Sequence, residues 1–516
     1  MPFLRNVDSP SPRARRRKSF LLILPATIGI LAFVGFEGHA QEGAPAAGKA
    51  ALPTLVLSNE PCVNPVTATR PVSDVFDPNY TLLKGMKPND AFGIAVASGD
   101  IDGDGYTDLV VGARGDVPAG KSKGTVYVYR GSAKGVSATP AWVLTGEQEN
   151  GEFGRTLTVG DFNGDGYADV LVGSHGFNAG LGAHQGKVYL YLGGPKGLST
   201  TPSQTMVGEH KGDEYGRDFD VVDMNGDGIV DLLLGASGYS GDIQAQGKIY
   251  VYKGTKQGLD PTPIFTAIGE GEHDEFGRSV SGADVNGDGF PDVIAGATGL
   301  TGAGKGAGAK VPGFMYVYYG SAKGISPTPG FKVSGVRTGG HLGEGMSAVG
   351  DMNGDGYPDV AIGERDFSCE GRDAGRIDVY LGGPNGLSKD RVWSAVGKGK
   401  GGVGRSVAPV GDLNGDGFAD FITGAPVGTA EDSAGLYVFF GGPKGFSGNP
   451  ILISPDGVAS GIGFGLFTAR GVKGHNAPAI AVGAPSGGDA KEGWVRVYYG
   501  KLKSGKPTTG AAAKKK

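Results

Sequence analysis

FGRTLTVGDFNGDGYADVLVGS, residues 153–174, holds in one line a glycine-marked apolar start, a nine-residue acidic loop and an apolar run. The loop occurs six times: DIDGDGYTD at residues 100–108, DFNGDGYAD at 161–169, DMNGDGIVD at 223–231, DVNGDGFPD at 284–292, DMNGDGYPD at 351–359 and DLNGDGFAD at 412–420. Its spacing suits calcium, a hard cation that takes about six to eight oxygen ligands. DG-rich hairpin turns would explain one or two copies, not a sixfold repeat with the same ligand positions.

Side chains at positions one, three, five and nine of each loop are the candidate ligands. They are Asp100, Asp102, Asp104 and Asp108 in the first loop, then Asp161, Asn163, Asp165 and Asp169 in the second. The third and fourth loops offer Asp223, Asn225, Asp227 and Asp231, and Asp284, Asn286, Asp288 and Asp292. The last two offer Asp351, Asn353, Asp355 and Asp359, and Asp412, Asn414, Asp416 and Asp420. Position seven would add only a backbone carbonyl, from Tyr106, Tyr167, Ile229, Phe290, Tyr357 or Phe418. Glycine at position six permits the sharp turn. The first eight positions look like an EF-hand loop, but the glutamate an EF-hand needs at position twelve is replaced by strand-like LVVG, VLVG, LLLG, VIAG, VAIG and FITG. The expected cofactor is therefore calcium, about six ions, one per acidic loop.

The loops recur every 61, 62, 61, 67 and 61 residues, so the region is a repeat array. Each repeat starts at FG or a variant, at Phe92, Phe153, Tyr215, Phe276, Leu342 and Val403, and its second strand ends in a GAP-like triplet, at Gly112, Gly173, Gly235, Gly296, Gly363 and Gly424. A third strand with a period of two reads TVYVYRG from Thr125, KVYLYLG from Lys187, KIYVYKG from Lys248, FMYVYYG from Phe314, RIDVYLG from Arg376, LYVFFG from Leu436 and WVRVYYG from Trp494. That is seven copies against six loops; the extra one belongs to a repeat with FG at Phe464 and GAP at Gly483 whose loop, residues 470–477, has no aspartate. A fourth strand follows each of six SAKG- or GPKG-like turns, and YTLLKG, residues 80–85, fits the missing seventh. Expected is an all-β, seven-bladed propeller of four-stranded blades, its ring closed by an N-terminal strand that removes open sheet edges.

FG, acidic loop, GAP and VYVY strand, recurring in that order over about residues 80–500, resemble the FG-GAP repeat family, known from the N-terminal propellers of integrin α chains. The resemblance assigns calcium to positions one, three, five, seven and nine. It implies a partner face on the other side of the disk, made by loops such as residues 114–123 and 364–374 and by those ahead of FG, such as 147–152 and 270–275. A propeller of this family also accompanies the catalytic domain of glycosylphosphatidylinositol-specific phospholipase D. Here only about 40 residues of an exported chain would precede the ring, short for a catalytic domain.

Basic residues 13–18, apolar residues 20–36 and the small-residue site ending at Ala40 have the layout of a signal peptide over residues 1–40, or of an N-terminal anchor. Residues 41–78 read as a linker, 79–500 as the propeller and 501–516 as a solvated Lys-rich tail. Losing six Lys/Arg and two Asp/Glu with residues 1–40 takes the formal charge from −5 to −9, and no concentrated basic surface suggests nucleic acid. Cys62 and Cys369 either form one disulfide or stay as thiols. The seven histidines, without zinc-type spacing, are expected in solvated loops.

The expected function is a secreted, periplasmic or surface-displayed calcium-binding interaction module, adhesion-like and monomeric, with an extracellular protein or glycan partner. Alternatives are a hydrolase-associated propeller and a lectin. No enzyme is expected, because G-x-S-x-G at residues 120–124 leads into a strand and the phosphate-loop spacing at 299–305 is followed by Gly306 where Ser or Thr is needed. Trp142, Trp393 and Trp494 offer little for sugar stacking, and Arg114-Gly115-Asp116 is a tripeptide match with little information in so glycine-rich a chain.

Overall fold

The computed structural model describes residues 55–56, 72–115, 122–299, 312–336, 339–369, 372–397, 402–425, 435–446, 450–453, 465–467 and 479–500. All of them belong to the unit Leu52–Lys516; a first unit, Met1–Ala51, lies wholly outside the described residues, as do Cys62, Phe464, residues 470–477 and the Lys-rich tail.

Blade one is an antiparallel sheet of Phe92–Gly99, Asp108–Ala113, Thr125–Tyr129 and Trp142–Thr145, counted outward from the axis. The same order repeats in blades two to six, whose inner strands are Thr156–Gly160, Tyr215–Val222, Phe276–Ala283, Leu342–Gly350 and Val407–Gly411. Blade seven comprises Gly465–Phe467, Ala479–Ala484 and Trp494–Gly500, with Phe76–Lys84 as its antiparallel outer strand. The N-terminal strand thus closes the ring, and it starts ahead of Tyr80, because Phe76 is fully buried against Tyr498. One addition was not legible beforehand: Leu55–Val56, in the stretch whose composition reads as linker, pairs parallel with the outer strand of blade four, Phe331–Ser334.

All seven second strands are buried at each of their six positions, because both faces pack against neighbouring blades. In the third strand of blade one the period of two separates side chains by size rather than polarity. Val126 and Val128 join Val170 and Val172 of blade two, while Tyr127 and Tyr129 join Val495 and Val497 of blade seven. The core divides into seven such inter-blade clusters, where an open stack of seven blades would have one fewer.

The FG and GAP motifs meet across these interfaces. The FG side chains Phe92, Phe153, Tyr215, Phe276, Leu342 and Val403 are all buried, and Phe153 lies edge-on to Tyr189 at 5.2 Å between ring centroids. The GAP glycine of one blade rests on the FG glycine of the next: a Cβ on Gly112, Gly235, Gly296, Gly363 or Gly483 would stand 1.8–2.2 Å from the carbonyl oxygen of Gly154, Gly277, Gly343, Gly404 or Gly93. Gly483 on Gly93 is the same contact made across the closure, beside the Phe92 N–H that donates to the Glu492 carbonyl at 3.1 Å.

Candidate metal centres and the opposite face

Each acidic loop is folded by its own carboxylates. In the second loop Asp161 accepts the N–H groups of Asp165 (3.0 Å) and Gly166 (2.8 Å), Asn163 Oδ1 accepts the Asp165 N–H (3.0 Å), and Asp165 accepts the Tyr167 N–H (3.0 Å). The bond from position one to Gly at position six recurs in every loop at 2.8–2.9 Å. That glycine has φ of +85° to +96° in all six, as expected of a turn that an ordinary residue resists.

In the first loop, ligand atoms of Asp100, Asp102 and Asp104 lie within 4.8 Å of one another. Asp100 Oδ1 is buried and accepts no hydrogen bond, as is Asn414 Oδ1 in the sixth loop. A buried carboxylate oxygen without a donor, facing two further carboxylates, fits a hard cation and is costly without one.

Position nine has a structural task that its spacing did not disclose. Asp108, Asp169, Asp231, Asp292, Asp359 and Asp420 are fully buried. In each, one oxygen accepts the N–H of position two of its own loop, as Met352 to Asp359 at 2.8 Å, and the other that of the glycine after the third strand, as Gly382 to Asp359 at 2.9 Å. The same pair is made in the other five loops, so this residue pins its loop to the third strand. Burial pushes the carboxyls of Asp169, Asp292, Asp359 and Asp420 up to about 7 and that of Asp108 up to about 6, against the pull of those amides.

Two further loop positions were missed in the sequence, although each repeats an apolar residue type. Position two, Ile101, Phe162, Met224, Val285, Met352 or Leu413, is buried and anchors the loop in the core. The side chain at position seven also works: Tyr167, Ile229, Tyr357 and Phe418 lie over Gly103, Gly164, Gly287 and Gly354 of the preceding blade's loop.

Loops one and three differ in having a cation on a candidate ligand. Arg130 approaches Asp102 at 3.2 Å, and Lys253 approaches Asp227 at 2.9 Å, where blades two and five have Leu192 and Leu381. The Lys253 ammonium holds the Asp227 carboxyl below its usual range. Replacing Lys253 with Leu removes this competitor, and loop three should then take up a cation at lower concentration. Metal titration of K253L against native protein checks this, and an identical isotherm would refute it.

On the opposite face lie the loops between second and third strands and those ahead of FG. All eleven non-glycine residues of positive φ among the described residues lie there, among them Ala91, Glu152, Glu214, Glu275 and His341, each directly before an FG-type residue. Left-handed backbone at such residues is strained, and strain of this kind gathers at functional sites. Arg114 reaches Glu152 of the next blade at 3.6 Å and is only 22% exposed; Asp116 lies outside the described residues.

Among the described residues one histidine is buried, against the expected solvated setting. His175 is buried, 3.4 Å from Glu152 through Nε2, with no hydrogen bond at Nδ1. Burial, followed by Arg217 and the other cations around it, holds the imidazole well below its ordinary range. The unfolded chain therefore binds the extra proton first, and stability is lost as pH falls through the unfolded value of about 6.5. Native protein should lose up to about 1.4 kcal/mol per pH unit relative to His175→Gln below that pH, and nothing above about pH 7.5. Denaturant unfolding of both proteins from about pH 8 to 5 measures the difference; parallel curves would contradict it.

The FG-GAP-like repeat profile matches residues 100–172 and 223–295, and the FG-GAP repeat profile matches 347–380 and 403–439. Integrin alpha-5 of Xenopus laevis is 30% identical over 46% of this chain and 24% of its own length, and integrin alpha-V of Gallus gallus 32% over 45% and 21%. Phosphatidylinositol-glycan-specific phospholipase D of Dictyostelium discoideum is 29% identical over 39% of this chain and 24% of its own length. The chain thus spans about a quarter of the length of these relatives. Among solved structures, the exotype rhamnogalacturonan lyase YesX is similar over 84% of this chain and 68% of its own, at 13% identity and a TM-score of 0.40. Motifs that meet between blades, seven blades in a closed ring and the matched profiles agree: the chain carries FG-GAP repeats in a propeller, and in these repeats it is similar to integrin alpha chains.

Proposed function

We propose that this chain is an exported binding module whose six acidic loops hold structural calcium and whose opposite face engages an extracellular partner. The observation that carries the reading is the convergence of Asp100, Asp102 and Asp104 around a buried oxygen that has no donor. The other five loops reproduce the backbone bonds of the first. Positions one, three, five and nine would supply oxygens with the position-seven carbonyl, and calcium there supplies charge neutralisation rather than chemistry. Strained loops on the opposite face support the partner assignment, and the integrin relatives point to an adhesion-like role. No helix among the described residues is long and apolar enough to cross a membrane.

Binding rather than catalysis is the reading for the propeller itself. Ser122 of the G-x-S-x-G match leads directly into the strand Thr125–Tyr129, and residues 300–305 of the phosphate-loop match lie outside the described residues. A lectin role finds little support in the tryptophans: Arg130 lies over Trp142, Trp393 stacks on Phe446, and Trp494 is buried under Arg496. Counting calcium on purified protein tests the scaffold, with about six ions expected from the six loops. Release of a phosphatidylinositol-glycan anchor by the same protein would overturn the non-catalytic part.

A further inference from the structure

The inner strands of blades one to six enclose an axial cavity of about 620 Å³, within the range of sites that hold small ligands. The residue after the FG glycine lines it in every one of these blades: Ile94, Arg155, Arg217, Arg278, Glu344 and Arg405. Each stands at or near the start of its inner strand, so four arginines and one glutamate converge on the axis at the end away from the acidic loops.

The arginines are unequally provided with counter-charge. Arg155 bonds Glu152 at 2.9 Å, and Arg278 approaches Glu275 at 3.6 Å and Glu344 at 3.3 Å, while Glu344 also pairs with Arg365. Arg217 is 12% exposed, its carboxylate neighbour Glu214 stands 3.7 Å away, and that carboxylate is engaged by the Ser237 hydroxyl at 2.9 Å. Arg217 makes no hydrogen bond with its guanidinium among the described residues. Deeper in the cavity Asp218 and Asp220 accept the N–H groups of Val280 and Gly282 on blade four, and Asp218, Glu344 and Glu275 act on Arg217 through charge without hydrogen-bonding its guanidinium. Burial, then the like charge of Arg278, hold the guanidinium below its ordinary range. A guanidinium has about five N–H donors in a planar fork, stays charged, and is matched by a planar or tetrahedral oxyanion.

The rest of the wall narrows the ligand class. Among the described residues, hydroxyls such as Thr156, Ser279, Ser281 and Ser347 line it with one aromatic side chain, Phe219, so the described wall is polar rather than built for ring stacking. The residues preceding FG in blades two to four, Glu152, Glu214 and Glu275, have φ of +55°, +53° and +51°, so strained backbone sets the anions that partner these arginines.

We propose that the axial cavity binds an oxyanion group, a carboxylate or sulfate, which enters from the face opposite the acidic loops and is held by Arg217 with Arg155, Arg278 and Arg405 around it. This deepens the proposed binding role by assigning its opposite face a ligand chemistry. The group can come from a free anion or from an acidic side chain of a protein partner.

Calcium-loaded purified protein is titrated calorimetrically with sodium sulfate and, separately, with a tetraglutamate peptide, against sodium chloride of matched ionic strength. One-to-one saturation by either probe is expected, weakened about ten- to a hundredfold in Arg217→Gln and less in Arg217→Lys, because hydrogen bonds to a charged group contribute about 1.5–3 kcal/mol. Arg217 joins no other side chain by a hydrogen bond among the described residues, so the variant should keep its melting temperature. Peptide binding supports the site together with a protein partner. Sulfate binding alone supports the site while counting against that partner. Absence of saturable binding by both probes, or equal affinity in Arg217→Gln, overturns the proposal.

Discussion

Adding calcium to chelator-stripped protein should raise its melting temperature by roughly 10 °C as about six ions bind. Each loop gathers three or four carboxylates whose mutual repulsion only a cation relieves, and Asp100 Oδ1 waits without a donor. If an extracellular loop of this kind binds at about 10⁻⁴ M and calcium is near about 1 mM, one site contributes about 1.4 kcal/mol. Six independent sites sum to about 8 kcal/mol, against a whole-domain stability of about 5–15 kcal/mol. The shift is spread over a large unfolding entropy, which is why it amounts to tens of degrees at most. Loops one and three, where Arg130 and Lys253 sit on ligands, should fill last. Differential scanning calorimetry with metal counting measures all of this. A melt that ignores calcium, with less than about one ion bound, would remove the scaffold reading.

Gly363→Ala should lower the stability of the calcium-loaded protein by about 3 kcal/mol or prevent the ring from closing. A Cβ at Gly363 would stand 1.8 Å from the Gly404 carbonyl oxygen and 2.5 Å from its Cα, and both are backbone atoms that no rotamer change can move. Gly404 itself has φ of +88° and lies next to buried Val403, so blade six would have to withdraw as a body from blade five. Relief by that route would open the cluster in which Val379 and Ile377 meet Phe421 and Phe439. The control is Gly356→Ala in the acidic loop, where the added carbon meets nothing and only the left-handed backbone is penalised. Its cost should be about 1 kcal/mol. Urea unfolding of the two variants compares them directly. Equal losses would mean that the motif glycines matter for backbone conformation alone, and the inter-blade contact would lose its significance.

The sixfold acidic loop, the seven third strands and the closing strand were all legible, because each is a local pattern. A period of two, a run of ligands within nine residues and a repeat near sixty residues need no knowledge of distant neighbours. The FG and GAP motifs were legible as marks but not as partners. Gly363 and Gly404 are neighbours only once two sheets stack, and nothing in either motif names the other.

Residue order alone was thus enough for the propeller, its blade count and the order of strands in each blade, and it marked the candidate cation positions. What those positions do beyond that emerged only when the blades packed. Packing turned the ninth loop residue into a clamp between Met352 and Gly382, seated Leu55–Val56 on blade four, buried His175, and gathered Arg155, Arg217, Arg278 and Arg405 at one axis. The reason is geometric. Backbone pairing within a blade follows from residues close along the chain, whereas convergence at the axis and contact between blades depend on how each sheet is rotated against the next, which the twist of the strands and the packing of both blade faces set together.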